Sequence, residues 1–226
     1  MSKVKVGLFG GTFNPIHLGH LRGAEEVREL LGLEKVYFIP SAVPPHKKLC
    51  ELAPQEHRLN MVRLAVSGNP FFEVSEIEIE RGGPSYTVDT LEYFLREFPD
   101  FNLYFIIGTD SLVDIDTWKD YKELSQLSNF AVLARPGAPR DFPSLIPLAL
   151  RASFRYYKRE EGVTFYVHEG SNLLVFVEIE GLEVSSTRIR DLISRGKSIK
   201  YLVPGEVEDY ILSNKLYVYV EEETSL

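Results

Sequence analysis

Short apolar runs alternate with helix-period segments from the first residues of this chain, and that alternation restricts the fold more than any single motif does. KVGLF (5–9) reads as a buried strand, after which Leu21, Ala24, Val27 and Leu31 recur at helical spacing. VYFI (36–39) repeats the strand, a proline-rich loop follows, and Leu59, Val62 and Val66 mark a second helix. FEVSEIEIE (72–80) alternates as a strand with one wet face, ahead of Val88, Leu91, Leu95 and Phe98 on one helical face. LYFII (103–107) and NFAVLA (129–134) complete the run. Strands joined through helices need crossovers, and right-handed crossovers place helices on both faces of a mainly parallel sheet. The expected class is α/β, with ligands bound outside the carboxyl ends of the strands, in the loops after Phe9, Ile39, Ile107 and Ala134.

Between Ala138 and Asn172 the pattern weakens. PRDFPSLIP (139–147) reads as loop, and VTFYVHEGSNLLVFVEI (163–179) as a hairpin turning at 170–172. RASFRYYKR (151–159) is basic and aromatic, which suits a nucleic-acid patch or a solvated helix face with buried aromatics. The second reading is preferred because the chain carries 25 basic and 33 acidic residues, a net charge of −8 that attracts no nucleic acid globally. TRIRDLISRG (187–196) and PGEVEDYILSN (204–214) read as two closing helices, the second with proline near its first turn. The 226 residues are expected to form one domain, 1–226, with a small helical part at 183–226. Apolar stretches fall far short of the roughly 20 residues a membrane helix needs. Cys50 is the single cysteine, so no internal disulfide forms, and a reducing cytoplasm fits.

Chemistry concentrates in GLFGGTFNPIHLGH (7–20), at the end of the first strand. Gly10 and Gly11 are expected to allow a tight turn and close approach of backbone amides to a ligand, while a helix beginning near His17 directs its amides at an anion. His17 and His20, three residues apart, are expected on one helix face. Two imidazoles beside a glycine turn suit a phosphate-bearing ligand; the competing reading is a structural turn whose histidines cap or pack. Zinc would need a third ligand, and none is near in sequence. The dinucleotide fingerprint does not fit GLFGGT, and GKS (196–198) lacks the Walker glycine because Asp191 stands there.

GGTFNPIHLGH (10–20) resembles the opening signature of the HxGH nucleotidyltransferases, and VSSTRIR (184–190) resembles their second phosphate motif. IPSAVPPHK (39–47), PSYTVDTL (84–91), FIIGTDSL (105–112), TW (117–118) and ARPG (134–137) are similar, in order, to the intermediate motifs of bacterial nicotinate-nucleotide adenylyltransferases. The likeness covers 3–137 and 183–219 and is weak across 138–172. It implies a Rossmann-like sheet and transfer of an adenylyl group from ATP to nicotinate mononucleotide, giving nicotinate adenine dinucleotide and pyrophosphate in NAD biosynthesis.

Residue by residue, the resemblance implies that His17 and His20 contact the ATP phosphates and that Gly10, Gly11 and Thr12 line the site. Gly108 and Asp110 match positions that hold the adenosine ribose, where a carboxylate suits two hydroxyl donors. Ser185, Ser186, Thr187 and Arg190 match the second phosphate motif; Arg188 occupies its variable position. Lys47 matches the lysine that approaches the acceptor phosphate, with His46 and Lys48 adding positive potential. Tyr86, Thr87 and Trp118 match positions around the pyridine ring. Two positions depart from the family: Asn14 stands where Asp is common, and Lys119 where an aromatic often follows the tryptophan. Mg²⁺ is expected with ATP, held mainly by substrate phosphates and with no metal site on the protein. Neither a nucleic-acid nor a membrane partner is implied, and a homo-oligomer is compatible. The alternatives are another HxGH transferase with a different phosphorylated acceptor and a non-catalytic nucleotide sensor.

Overall fold

The computed structural model describes residues 3–45, 52–134 and 141–218. In chain order it forms β1 (Val4–Gly11), α1 (Leu18–Leu31), β2 (Lys35–Pro40), α2 (Gln55–Val66), β3 (Phe72–Val74), α3 (Ile77–Arg81), α4 (Thr87–Glu97), β4 (Phe101–Gly108) and α5 (Thr109–Val113). There follow α6 (Tyr121–Leu127), β5 (Asn129–Ala134), the short α7 (Phe142–Leu145) and α8 (Leu148–Arg151), β6 (Phe154–Glu160), β7 (Val163–His168), β8 (Leu173–Glu178), α9 (Ser186–Ser194) and α10 (Gly205–Ser213).

The strands join in one sheet ordered β3, β2, β1, β4, β5, β8, β7, β6. Pairs from β3 through β8 are parallel; β8–β7 and β7–β6 are antiparallel. The expected α/β class with a Rossmann-like, mainly parallel sheet is what the chain adopts. Order along the sheet reverses at β1, which has β2 on one side and β4 on the other. The crevice at the carboxyl ends of β1 and β4 is therefore the topological switch point, where open α/β sheets bind ligands.

Both faces are covered because the central strands are apolar on both sides. One face buries Val27 of α1, Met61 and Val62 of α2, Ile189 of α9 and Ile211 of α10. The other buries Leu91 and Phe94 of α4, Leu112 of α5 and Leu124 of α6. The two closing helices thus extend the α1–α2 layer, and Tyr210 of α10 takes hydrogen bonds with His57 and Asn60 of α2 at 2.9 and 3.0 Å. Among the described residues no helix is long and apolar enough to cross a membrane.

Three local expectations change. The strand expected across 72–80 stops at Val74, and Ile77–Arg81 is helical. The reason is Glu78, whose buried carboxylate accepts from Thr90 Oγ1 at 2.7 Å and so rewards a turn toward α4 over further pairing with β2. The helix expected in 151–159 is instead edge strand β6, with Tyr156 and Tyr157 exposed and a register shift after Tyr156. The loop expected in 139–147 contains helical turns, where Phe142, Ile146 and Leu150 enter the core and the Phe142 ring stacks on Phe176 at 4.5 Å.

Candidate active site

β1 runs through both glycines, Gly10 pairing with Ile39 and Gly11 with Pro40, so the turn expected there comes later. Phe13, at φ 46°, and a cis Asn14–Pro15 bond redirect the chain toward α1. Close packing explains Gly11 instead, since a Cβ would lie 3.0 Å from the Phe13 ring.

His17 is the N-cap of α1 in extended conformation and His20 lies in the first turn, so they do not share a helical face as the spacing suggests. Each ring caps the other's backbone: His17 Nδ1 accepts from the His20 amide at 3.3 Å, and His20 Nδ1 accepts from the His17 amide at 3.2 Å. The rings stack with centroids 3.6 Å apart. A nitrogen that accepts carries no proton, so this bonding assigns each ring's proton to Nε2. Capping thus engages Nδ1 of each ring and not Nε2–H, with His17 buried and His20 half-buried. Gly19 permits the stack; a Cβ there would sit 3.1 Å from the His17 ring and 3.2 Å from the Leu182 carbonyl.

The second phosphate motif lies against the first. Arg190 donates to the Asn14 carbonyl at 2.8 Å and to Thr187 Oγ1 at 3.4 Å. Ser186 Oγ donates to the Pro15 carbonyl at 2.8 Å, while Ser185 Oγ caps α9 by accepting from the Arg188 amide at 3.2 Å. Two of the three hydroxyls expected on phosphate thus hold protein backbone, leaving Thr187 as the exposed one nearest Arg190. Asn14 is buried, and its Oδ1 accepts from the Ala53 amide at 3.0 Å and from the Tyr217 hydroxyl at 2.9 Å. An amide oxygen meets those demands as a carboxylate would, which accounts for Asn at this position. Burial pushes the Tyr217 phenol far up, against the pull of Arg190 and Arg58, so it stays a donor.

Across the switch point, Gly108 precedes α5 with open space where a side chain would be, and Asp110 is exposed in the first turn of that helix. Tyr86 and Thr87 begin α4, and the Tyr86 side chain makes no capping bond. Trp118 is half-buried, edge-on to Phe105 with centroids 6.4 Å apart. Lys119 Nζ lies 4.9 Å from the Tyr86 ring centre and 2.9 Å from Asp89, so the departure from an aromatic ties the Trp118 segment to the start of α4. Lys47, with His46 and Lys48, lies outside the described residues.

Sequence reasoning passed over Arg58. It lies on the buried face of α2 with Met61 and Val62, 2% exposed, and its guanidinium donates to the carbonyls of Thr12, Ala42 and Ala53 at 2.9, 3.0 and 3.2 Å. An arginine on an apolar helical stripe was the available signal. Burial lowers its affinity for its proton.

The cytidylyltransferase-like family model matches residues 8–192. A protein of Syntrophotalea carbinolica named "probable nicotinate-nucleotide adenylyltransferase" is 45% identical over 215 residues, 95% of this chain and 97% of its own. The chain belongs to the nicotinate-nucleotide adenylyltransferase family. A second member, so named in Geotalea daltonii, is 44% identical over 95% of this chain and 98% of its own. The solved nicotinic acid mononucleotide adenylyltransferase of Plasmodium falciparum, complexed with NaAD, shares the fold at a TM-score of 0.71 and 19% identity, covering 95% of this chain and 97% of that one. Family membership and shared fold cover the weakly similar stretch 138–172 as well.

Proposed function

We propose that the carboxyl-end cleft of β1 and β4 transfers an adenylyl group from ATP to nicotinate mononucleotide, yielding nicotinate adenine dinucleotide and pyrophosphate for NAD biosynthesis. One observation carries this reading: the two phosphate motifs, 171 residues apart in sequence at Pro15 and Ser186, are hydrogen-bonded to each other and gather donors on one side of the cleft. The name shared by relatives at 44–45% identity gives the donor and acceptor.

In the reaction an acceptor phosphate oxygen attacks the α-phosphorus of ATP; the new P–O bond forms as the bond to the β-phosphate oxygen breaks. The nucleophile is already an anion, so no strong base is needed, and rate comes from alignment and from stabilising developing charge. His17 and His20 supply Nε2–H donors to the phosphates, and Arg190 with the amides at the start of α9 receives the departing pyrophosphate. Gly10, Gly11 and Thr12 form the wall beside them, with Gly108 and Asp110 taking the ribose. The groups facing the phosphates, His17, His20, Arg190 and the α9 amides, are hydrogen-bond donors suited to anions and a poor ligand set for a cation, so Mg²⁺ is assigned to the substrate phosphates and would neutralise their charge.

On the acceptor side Tyr86, Thr87 and Trp118 surround the pyridine ring and Lys47 meets its phosphate. The start of α4 presents backbone amides and the positive end of an eleven-residue helix, which favours a carboxylate over a carboxamide. A cytoplasmic location and the absence of nucleic-acid partners belong to the same proposal, resting on the lone cysteine and the net charge of −8. Product analysis with ATP and a panel of phosphorylated acceptors tests the reading. Nicotinate adenine dinucleotide and pyrophosphate in equal amounts are expected; a product from a different acceptor alone, or none, overturns it.

A further inference from the structure

Arg58 is a buried cation with no carboxylate partner among the described residues, an arrangement that costs desolvation and needs a compensating use. Its three bonds reach three separate segments. Nη1 holds the Thr12 carbonyl just past β1, Nη2 holds Ala42 just past β2, and Nε holds Ala53 just ahead of α2. Ala42 and Ala53 flank the stretch that contains Lys47.

Residue Ala42 is held at its amide as well as at its carbonyl. Its amide donates to Ser85 Oγ at 2.9 Å, the Ser85 amide donates to the Val43 carbonyl at 2.9 Å, and Val43 bridges Pro84. Just beyond Ser85, buried Glu78 accepts from Thr90 Oγ1 of α4 at 2.7 Å. Hydrogen bonds therefore run from Arg58 through residue Ala42 to Ser85, directly before Tyr86 and Thr87. Toward the donor side Arg58 holds the Thr12 carbonyl and the Ala53 amide donates to Asn14 Oδ1, whereas the bonds of the histidine cap, of Arg190 to Asn14 and of Ser186 to Pro15 are made by other groups.

We infer that Arg58 is the positioning residue for the acceptor half of the site, setting the Ala42 and Ala53 segments and, through Ser85, the start of α4. This rests on the assignment of Lys47, Tyr86 and Thr87 to nicotinate mononucleotide. A guanidinium suits the task because its fixed fork satisfies three carbonyls in different directions, which a lysine ammonium on a flexible stem cannot reproduce. The positive charge alone is not the point; its geometry is.

The test is steady-state kinetics on the full chain, with KM measured separately for nicotinate mononucleotide and for ATP, beside the melting temperature. Wild-type protein is assayed first for nicotinate adenine dinucleotide; failure there removes the functional reading itself and is distinct from failure of the inference. Arg58→Lys is expected to raise the acceptor KM by about tenfold or more and the ATP KM by a clearly smaller factor, since only one of its three bonds, to Thr12, reaches the ATP wall. Ser85→Ala, which loosens the same residue, Ala42, at its amide without touching the buried charge, should shift the same constant by a smaller factor. The double variant should show less than the product of the two effects, since both act on the backbone of Ala42. A folded Arg58→Lys protein with unchanged acceptor KM, or with both constants raised equally, overturns the proposal. Should Arg58→Lys fail to fold, Ser85→Ala decides: an acceptor-selective rise supports the proposal, and equal or absent effects overturn it.

Discussion

At the scale of single residues, His17 carries a structural role and, in the proposed reaction, a chemical one on the same side chain. Its Nδ1 caps α1 and its Nε2–H is assigned to phosphate, so the two roles separate by substitution. Asparagine is a good N-cap, and His17→Asn is expected to melt near the wild-type temperature while turnover falls by about 10²-fold, the scale of losing one charge-stabilising donor. Turnover within about threefold of wild type would remove the donor role. His20→Ala should lose a similar factor in rate. Glu78 gives a second residue-level expectation. Burial raises its pKa above the ordinary carboxylate value of 4.5, against opposing bonds from Thr90 and Ser85. The folded state then binds more protons than the unfolded one, so this group's contribution is fully present below pH 4.5 and is lost as pH rises through the raised folded value. Denaturant titrations of wild type and Glu78→Gln from pH 4 upward check the sign. The variant should gain relative stability as pH rises, and a constant difference would contradict it.

At the scale of elements, α9 turns a spacing into a prediction. Arg190 faces Asn14 and the first phosphate motif, whereas Arg188 is exposed on the helix surface. Arg190→Ala is expected to raise the ATP KM by about tenfold or more and Arg188→Ala by less than about twofold, as read from ATP titrations of each variant. Equal losses would mean that the phosphate ligand is misassigned. Strands of the parallel core, β1, β2, β4 and β5, are plain in sequence because burial on both faces leaves continuous apolar runs. By contrast, β6 is an edge strand whose neighbouring tyrosines both face solvent, so no two-residue period marks it. The 142, 146, 150 spacing that seats α7 and α8 was present but was masked by Pro143 and Pro147, which punctuate like a loop. FEVSEIEIE misled because an alternating pattern ignores where Glu78 can find donors, and those come from Ser85 and Thr90 beyond it.

At the scale of the whole molecule, the sheet order places the cleft, and motif resemblance names most of the groups around it. What the sequence left hidden is the support: Arg58, Asn14, Ser85 and Tyr217 act through backbone carbonyls and amides that only the folded chain brings together. Positions in a motif were legible, but Gly10–Gly11 as strand, His17 as cap and Ser186 as a tie to Pro15 depended on tertiary pairing. The central claim is that this cleft joins adenylyl transfer to an acceptor site built for a carboxylate. Its most direct test is kcat/KM for nicotinate mononucleotide and for the nicotinamide form at fixed ATP. In the proposed site the start of α4 and the Thr87 hydroxyl would donate to both oxygens of an acid, whereas an amide would set a donor against a donor. A site built for hydrogen bonds can reject such an analogue by up to about 10⁴-fold. The account predicts a preference for the acid of one to several orders of magnitude, and equal values or a preference for the amide would contradict it.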